Sequence, residues 1–311
     1  MGHHRRVKFP DVEALLDRAV EWLRGKSKRF DHFWRAQERF FEVDAGRLSA
    51  AIAYYAFFAA FSLSLLAVAV LGYMLDFHTL YDAVDEWLRT NLPLVSVKSI
   101  RASASTIGLV ALVALVITGV SWVQAIRSSI RAVWLLDQQP GHPILRWIID
   151  LGVLIGLGVL LVGSIAITAV ADVALQWLRH GETDGWLPTL INYGSTGIGL
   201  IVNTILAAAL LSGLPRLALP LKRLLLPSLS VAIGLELLKT VGRLYINSAA
   251  DRPAYQAVGT AVGLLIFLYL FNQMLLFASA WTATSQRGEA IDLAKRQKIE
   301  TEDIETIDPI G

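Results

Sequence analysis

The chain reads as an all-α, polytopic membrane protein: six transmembrane helices preceded by an amphipathic, basic helical region. Three observations predict this class. Hydrophobic residues make up 55% of 311 residues and the mean hydropathy is +0.53, above the roughly 45–50% apolar content of a soluble domain. These residues come in blocks, six of which are long enough to cross a hydrocarbon core about 30 Å thick. The cations, finally, are concentrated in alternate connections between the blocks, as an oriented membrane protein requires. Runs this long and continuous are helices, because lipid satisfies no backbone polar group from outside.

Taken in order, residues 1–47 form a basic N-terminal region. From 11 to 41 the pattern is helical, with Val12, Leu15, Leu16, Ala19, Leu23, Phe30, Phe33, Trp34, Phe40 and Phe41 interleaved with Arg and Lys. Such a helix suits the cytoplasmic membrane surface; packing against the bundle's own loops is the alternative. Gly25 is the expected break within it. No apolar core precedes a small-residue cleavage site, so the first span, 48–74, is expected to be uncleaved.

The second span, 106–123, runs on into VQAIRSSIRAVW, where Arg127 and Arg131 share a face and are candidates for holding lipid head groups. Snorkelling cations at a helix end are the alternative. Trp122, Trp134 and Trp147 bracket this region as interfacial aromatics, with Trp177 and Trp186 at the opposite surface. The third span is 147–173 and the fourth 191–214. Prolines at 215, 220 and 227 end or kink the helices of the next connection. The fifth span is 224–246, the sixth 254–283, and 285–311 form a cytoplasmic tail. Gly152 with Gly156, and Gly259 with Gly263, have the spacing that allows close helix approach.

Counting charges sets the orientation. Eleven Lys or Arg precede the first span, three lie in 124–146, three in 213–223 and four in the tail, against five on the other side. Both termini are therefore expected in the cytoplasm, and six crossings match that parity.

The fifth span is unusual in carrying Glu236, Lys239 and Arg243. At about 100° per residue these fall on one helix face with Thr240 and Asn247. A charge at bilayer depth costs at least ~2.5 kcal/mol, so the stripe is expected to face other helices or water. Glu236 precedes Lys239 by three residues, the favourable order for a helical ion pair, so pure structural pairing competes with a place in a substrate path. Tyr55, Asn203 and Asn272 are further candidates along such a path. Neutral polar groups also serve as helix glue worth about 0.6 kcal/mol each.

The chain carries no P-loop, GxSxG, HExxH or dinucleotide fingerprint, so no enzyme activity is expected. It has no cysteine, and its six histidines are dispersed outside the spans, so no metal and no cofactor are expected. Asp76, Asp82, Asp85 and Glu86 cluster on the expected extracytoplasmic side as a solvated acidic loop, away from any nucleic acid.

Four segments carry a resemblance: AAIAYYAFFAAFSLSLLAV at 50–68, the stretch 119–134, LPRLALPLKRLLLPSLSVAIGLELLK at 214–239, and LYINSAADRPAYQAVGTAVGLLIFLYL at 244–270. In that order they resemble the YihY/BrkB family of bacterial inner-membrane proteins, nearest its YhjD-like branch, over roughly residues 30–285. The chain departs from the family's proline near Ser62 and from its Gly-Ala-Glu where Ala278, Ser279 and Ala280 stand. The resemblance implies an inner-membrane location. It further implies a link to envelope integrity, serum resistance or lipid export rather than to the ribonuclease activity once ascribed to the family.

The expected function is movement or accommodation of an anionic envelope lipid, with Lys239 and Arg243 attracting the head group and Glu236 neutralising or gating them. The expected partners are membrane lipids, with a second copy of the chain as a further candidate. A non-transporting scaffold that organises envelope proteins is the alternative.

Overall fold

The computed structural model describes residues 12–74, 97–159, 197, 199–249, 253–295 and 297–299. Among them are α1 (Val12–Lys26), α2 (Lys28–Glu42), α3 (Ala45–Met74), α4 (Val97–Val133), α5 (residues 143–159), α6 (Gly199–Gly213), α7 (Leu221–Ala249) and α8 (Pro253–Ala283). Four stretches are long and apolar enough to cross a membrane: Ala45–Val70, Thr106–Val133, Leu221–Leu244 and Gly259–Ala283. They correspond to the first, second, fifth and sixth expected spans. The third and fourth overlap α5 and α6 and otherwise lie outside the described residues, as do the acidic cluster at 76–86, Trp177 and Trp186. The second span continues to Val133 without a break, longer than its hydropathy alone suggests.

Helices α1 and α2 part at Ser27, not at Gly25, which stays inside α1. Ser27 has extended backbone, and its Oγ accepts a hydrogen bond from the Phe30 N–H at 3.4 Å. A serine supplies the acceptor that an exposed helix N-terminus needs, and glycine has none to offer. One aromatic face of α2 then packs on α8, with the Phe33 ring 5.5 Å from Phe277 and 6.0 Å from Trp281, and Phe40 6.1 Å from Phe277. That face is taken by protein, while Trp22 and Leu23 on α1 stay exposed.

Helices α3 and α4 pack along each other. Of the expected glycines, Gly152 and Gly156 have nothing within 4 Å among the described residues, whereas a Cβ on Gly119 of α4 would meet the Leu154 side chain of α5 at 2.7 Å. The approach site is thus on the partner helix, one side chain filling the notch of one glycine.

Helix α6 closes in a π-helical turn, Ala209–Gly213. The chain then enters a three-stranded antiparallel sheet that an all-helical reading does not anticipate. Strand β1 (Leu217–Ala218) pairs with β2 (Ala290–Asp292), which pairs with β3 (Gln297–Ile299). This sheet ties the connection before α7 to the segment after α8. Gly288, at φ +81°, makes the turn into β2, where a Cβ would strike Pro220 at 2.9 Å.

The buried core lies at this same end of the bundle, here the capped end. It includes Ile52, Ile126, Ile130, Val133, Leu211, Leu275, Leu276 and Trp134. Trp134 is 1% exposed, so it is a core residue and not the interfacial aromatic its position suggests; the Arg223 guanidinium lies 5.0 Å from its ring. Away from the capped end the helices turn Leu109, Val110, Ile117, Ile201, Ile205, Leu237, Val241 and Leu244 outward, the surface a hydrocarbon solvent requires.

Candidate functional site

The polar stripe of α7 forms as its helical spacing dictates. The Glu236 Oε1 accepts from the Lys239 Nζ at 2.6 Å and from the Asn203 Nδ2 of α6 at 2.7 Å. The Thr240 hydroxyl donates to the Glu236 carbonyl at 3.0 Å and accepts from the Arg243 Nη2 at 3.3 Å. Asn203, Glu236, Lys239 and Arg243 thus form one hydrogen-bonded ladder across two helices. Lys239 keeps 44% of its side chain exposed, and Arg243, also exposed, has only a neutral hydroxyl as partner among the described residues. Asn247 lies in the last turn of α7, its side chain outside the described set.

Tyr55 and Asn272 do not join this ladder among the described residues. Tyr55 packs edge-on to Tyr54 at 5.5 Å, and Asn272, 1% exposed, donates to the Leu268 carbonyl of its own helix at 2.8 Å.

Arg127 and Arg131, at the capped end, are buried rather than displayed. Arg131 makes a bidentate pair with Asp292 of β2 at 3.0 and 2.7 Å. It also donates to the carbonyls of Asp137 at 2.6 Å and Pro215 at 2.9 Å. All three of its guanidinium nitrogens are therefore engaged with protein through four hydrogen bonds, which corrects the expectation that it reaches a lipid head group. Arg127 pairs with Asp150 of α5. Arg223, which the sequence marks only as one cation among several, donates to the carbonyls of Thr282, Ala283 and Gly288 at 2.6, 2.9 and 3.1 Å. It thereby satisfies the orphan acceptors at the C-terminus of α8, where a cation also meets the helix dipole favourably.

Two titrations belong to this end. Burial alone raises the Asp292 carboxyl, but the Arg131 hydrogen bonds and the Ala294 N–H outweigh it and hold Asp292 below the ordinary carboxylate value. Burial lowers His32, assisted by the nearby cations of Arg35, Arg287 and Arg223 and opposed by its hydrogen bond to the Trp281 carbonyl.

The described residues hold no group of three or more His, Asp or Glu with metal-binding geometry. Among the described residues, what α7 displays instead is an exposed Lys239 paired with one carboxylate and an exposed Arg243 bonded to a hydroxyl. The family model for virulence factor BrkB matches residues 36–302. The chain belongs to the BrkB family. Among BrkB relatives, it is 29% identical over 272 residues to the inner membrane protein YhjD of Escherichia coli (strain K12), covering 82% of this chain and 81% of that one. An uncharacterized protein of Dickeya dadantii (strain 3937) is 28% identical over 273 residues, covering 82% and 83%. No solved structure matches the chain. Membership and the apolar helices together make this BrkB protein a multi-pass inner-membrane protein. At its departures from the family pattern, the Ser62 hydroxyl donates to the Phe58 carbonyl at 2.8 Å, and Ala278, Ser279 and Ala280 are buried in α8.

Proposed function

We propose that this BrkB-family protein moves or accommodates an anionic envelope lipid along α7. Lys239 and Arg243 attract the head group, and Glu236 neutralises them when none is present. One observation carries the reading: two cations stand exposed within a span whose neighbouring positions, Leu237, Val241 and Leu244, face outward as apolar groups. A purely structural cation at such depth would be matched, as Arg131 is. Here a single carboxylate, shared with Asn203, serves Lys239, and Arg243 has a hydroxyl. The proposal includes α5 and α6 as parts of a third and fourth crossing, termini in the cytoplasm, and membrane lipids as partners, with no catalytic step.

The test is lipid scrambling in proteoliposomes, comparing the native chain with Lys239→Ala/Arg243→Ala at matched reconstitution, with anionic and zwitterionic fluorescent lipids. The expected result is movement of the anionic lipid that the double variant loses. Absence of movement by folded native protein would overturn the reading and favour a scaffold.

A further inference from the structure

Arg131 and Arg223 set the standard at the capped end: every guanidinium nitrogen of each has a protein acceptor. Arg127 does not meet it. Its side chain is 3% exposed and one nitrogen pairs with Asp150, while its Nε and Nη2 are buried with no acceptor among the described residues. The Nη2 of Arg216 is in the same condition.

Two further guanidiniums lie within electrostatic range of this pair. Arg146 and Arg216 both act electrostatically on Arg127 and on Asp150. The chain's course explains why. Arg146 precedes Asp150 by one helical turn of α5, so it lies over the same face. It is held in place by donating to the Gln139 carbonyl and to Gln139 Oε1, each at 3.0 Å. Arg216 directly follows Pro215, whose carbonyl is fixed by Arg131, one turn along α4 from Arg127. Its backbone is left-handed at φ +59°, pinned by its N–H to the Gly213 carbonyl at 3.1 Å and by the Leu293 N–H to its own carbonyl at 3.0 Å. A non-glycine residue held in this region is a cost the surrounding structure must enforce.

One carboxylate therefore serves Arg127 with two more cations within electrostatic range, and buried donors are unspent. We propose that Arg127, Arg146 and Arg216 form a binding site for a phosphate oxyanion at the capped end. The planar, forked donors of arginine match phosphate oxygens in pairs, and an anion there would both accept from the unspent nitrogens and balance the excess charge. The anion is either the phosphate of a lipid head group or free phosphate. This site stands apart from the α7 ladder, so a negative scrambling result leaves it in place.

The test uses the full chain in neutral detergent, with unfolding followed by tryptophan fluorescence. Inorganic phosphate is titrated in one arm and short-chain phosphatidic acid in the other, each against chloride at matched ionic strength. Ligand that binds the folded state alone raises the unfolding temperature saturably. The site is expected to give saturable stabilisation by at least one probe, with the half-maximal concentration at least tenfold higher in Arg146→Gln/Arg216→Gln. Stabilisation by inorganic phosphate assigns a free anion; stabilisation by phosphatidic acid alone assigns a lipid head group. A footprint on the unaltered chain needs no variant: the effective probe should slow phenylglyoxal modification of Arg146 and Arg216 at least threefold relative to the exposed Arg47. Equal responses of native and double-variant protein, or neither stabilisation nor protection by either probe, would overturn the proposal.

Discussion

Arg131 at the capped end and Arg243 on α7 obey opposite rules. Arg131 is fully buried and each of its guanidinium nitrogens finds an acceptor; Arg243 is exposed within a span and, among the described residues, bonds to one hydroxyl. A buried charge survives only when paired and hydrogen-bonded, so the first arrangement is what folding alone demands. The second is in excess of what folding demands. The difference separates two kinds of arginine among the described residues: Arg131 holds the bundle's end together, and on the proposed reading Arg243 is kept for a ligand.

The sharpest way to break the comparison is at Arg131. Arg131→Ala leaves the Asp292 carboxylate buried without its partner, and breaking such a pair costs roughly 3–5 kcal/mol. Folded protein recovered by size-exclusion chromatography should fall steeply. Asp292→Ala should do the same by stranding the guanidinium. Near-native recovery of either variant would erase the distinction. Next in size is Arg223→Gln, which frees carbonyls at the end of α8; an unsatisfied buried group costs about 1–3 kcal/mol. Its unfolding temperature should drop clearly below native.

Lys239→Ala/Arg243→Ala should behave oppositely, abolishing lipid movement while folded protein is still recovered in near-native yield. A large stability loss here would make the α7 stripe architectural after all.

The smallest effect concerns His32. Its folded-state value lies below 6.5, so as pH falls the unfolded chain takes up the proton first. The contribution is fully present above the unfolded value and is lost as pH falls from there towards the lower folded one. Unfolding temperature should therefore decline modestly on acidification from about pH 7.5 to about 5.5, and less in His32→Gln, which has nothing to titrate.

Legibility followed sequence distance. The Glu236–Lys239 pair and its alignment with Arg243 are visible because helical periodicity places residues three and four apart on one face. The spans are visible because bilayer thickness imposes a length. Arg131 is visible as a residue but not as a pair, because Asp292 lies 161 positions away. The strands that bring it near are two or three residues long, too short to show alternation. The cap at Ser27 was concealed by Gly25 nearby, a stronger breaker by composition yet without an acceptor. Similarly, among the described residues Gly119 meets a neighbouring side chain and Gly152 does not, because close approach depends on which side chain faces the notch, and spacing within one helix is silent about that.

The pairing of Arg131 with Asp292 also has a consequence for biosynthesis. A chain is made from its N-terminus, and its segments assemble as they emerge. The fourth helix is complete long before the ribosome reaches position 292, so its guanidinium must wait through the synthesis of more than half the molecule without its carboxylate. Closure of the capped end is thereby deferred until the final strands are made, and a nascent chain that stalls before them remains open, its unpaired charge distinguishing unfinished protein from finished.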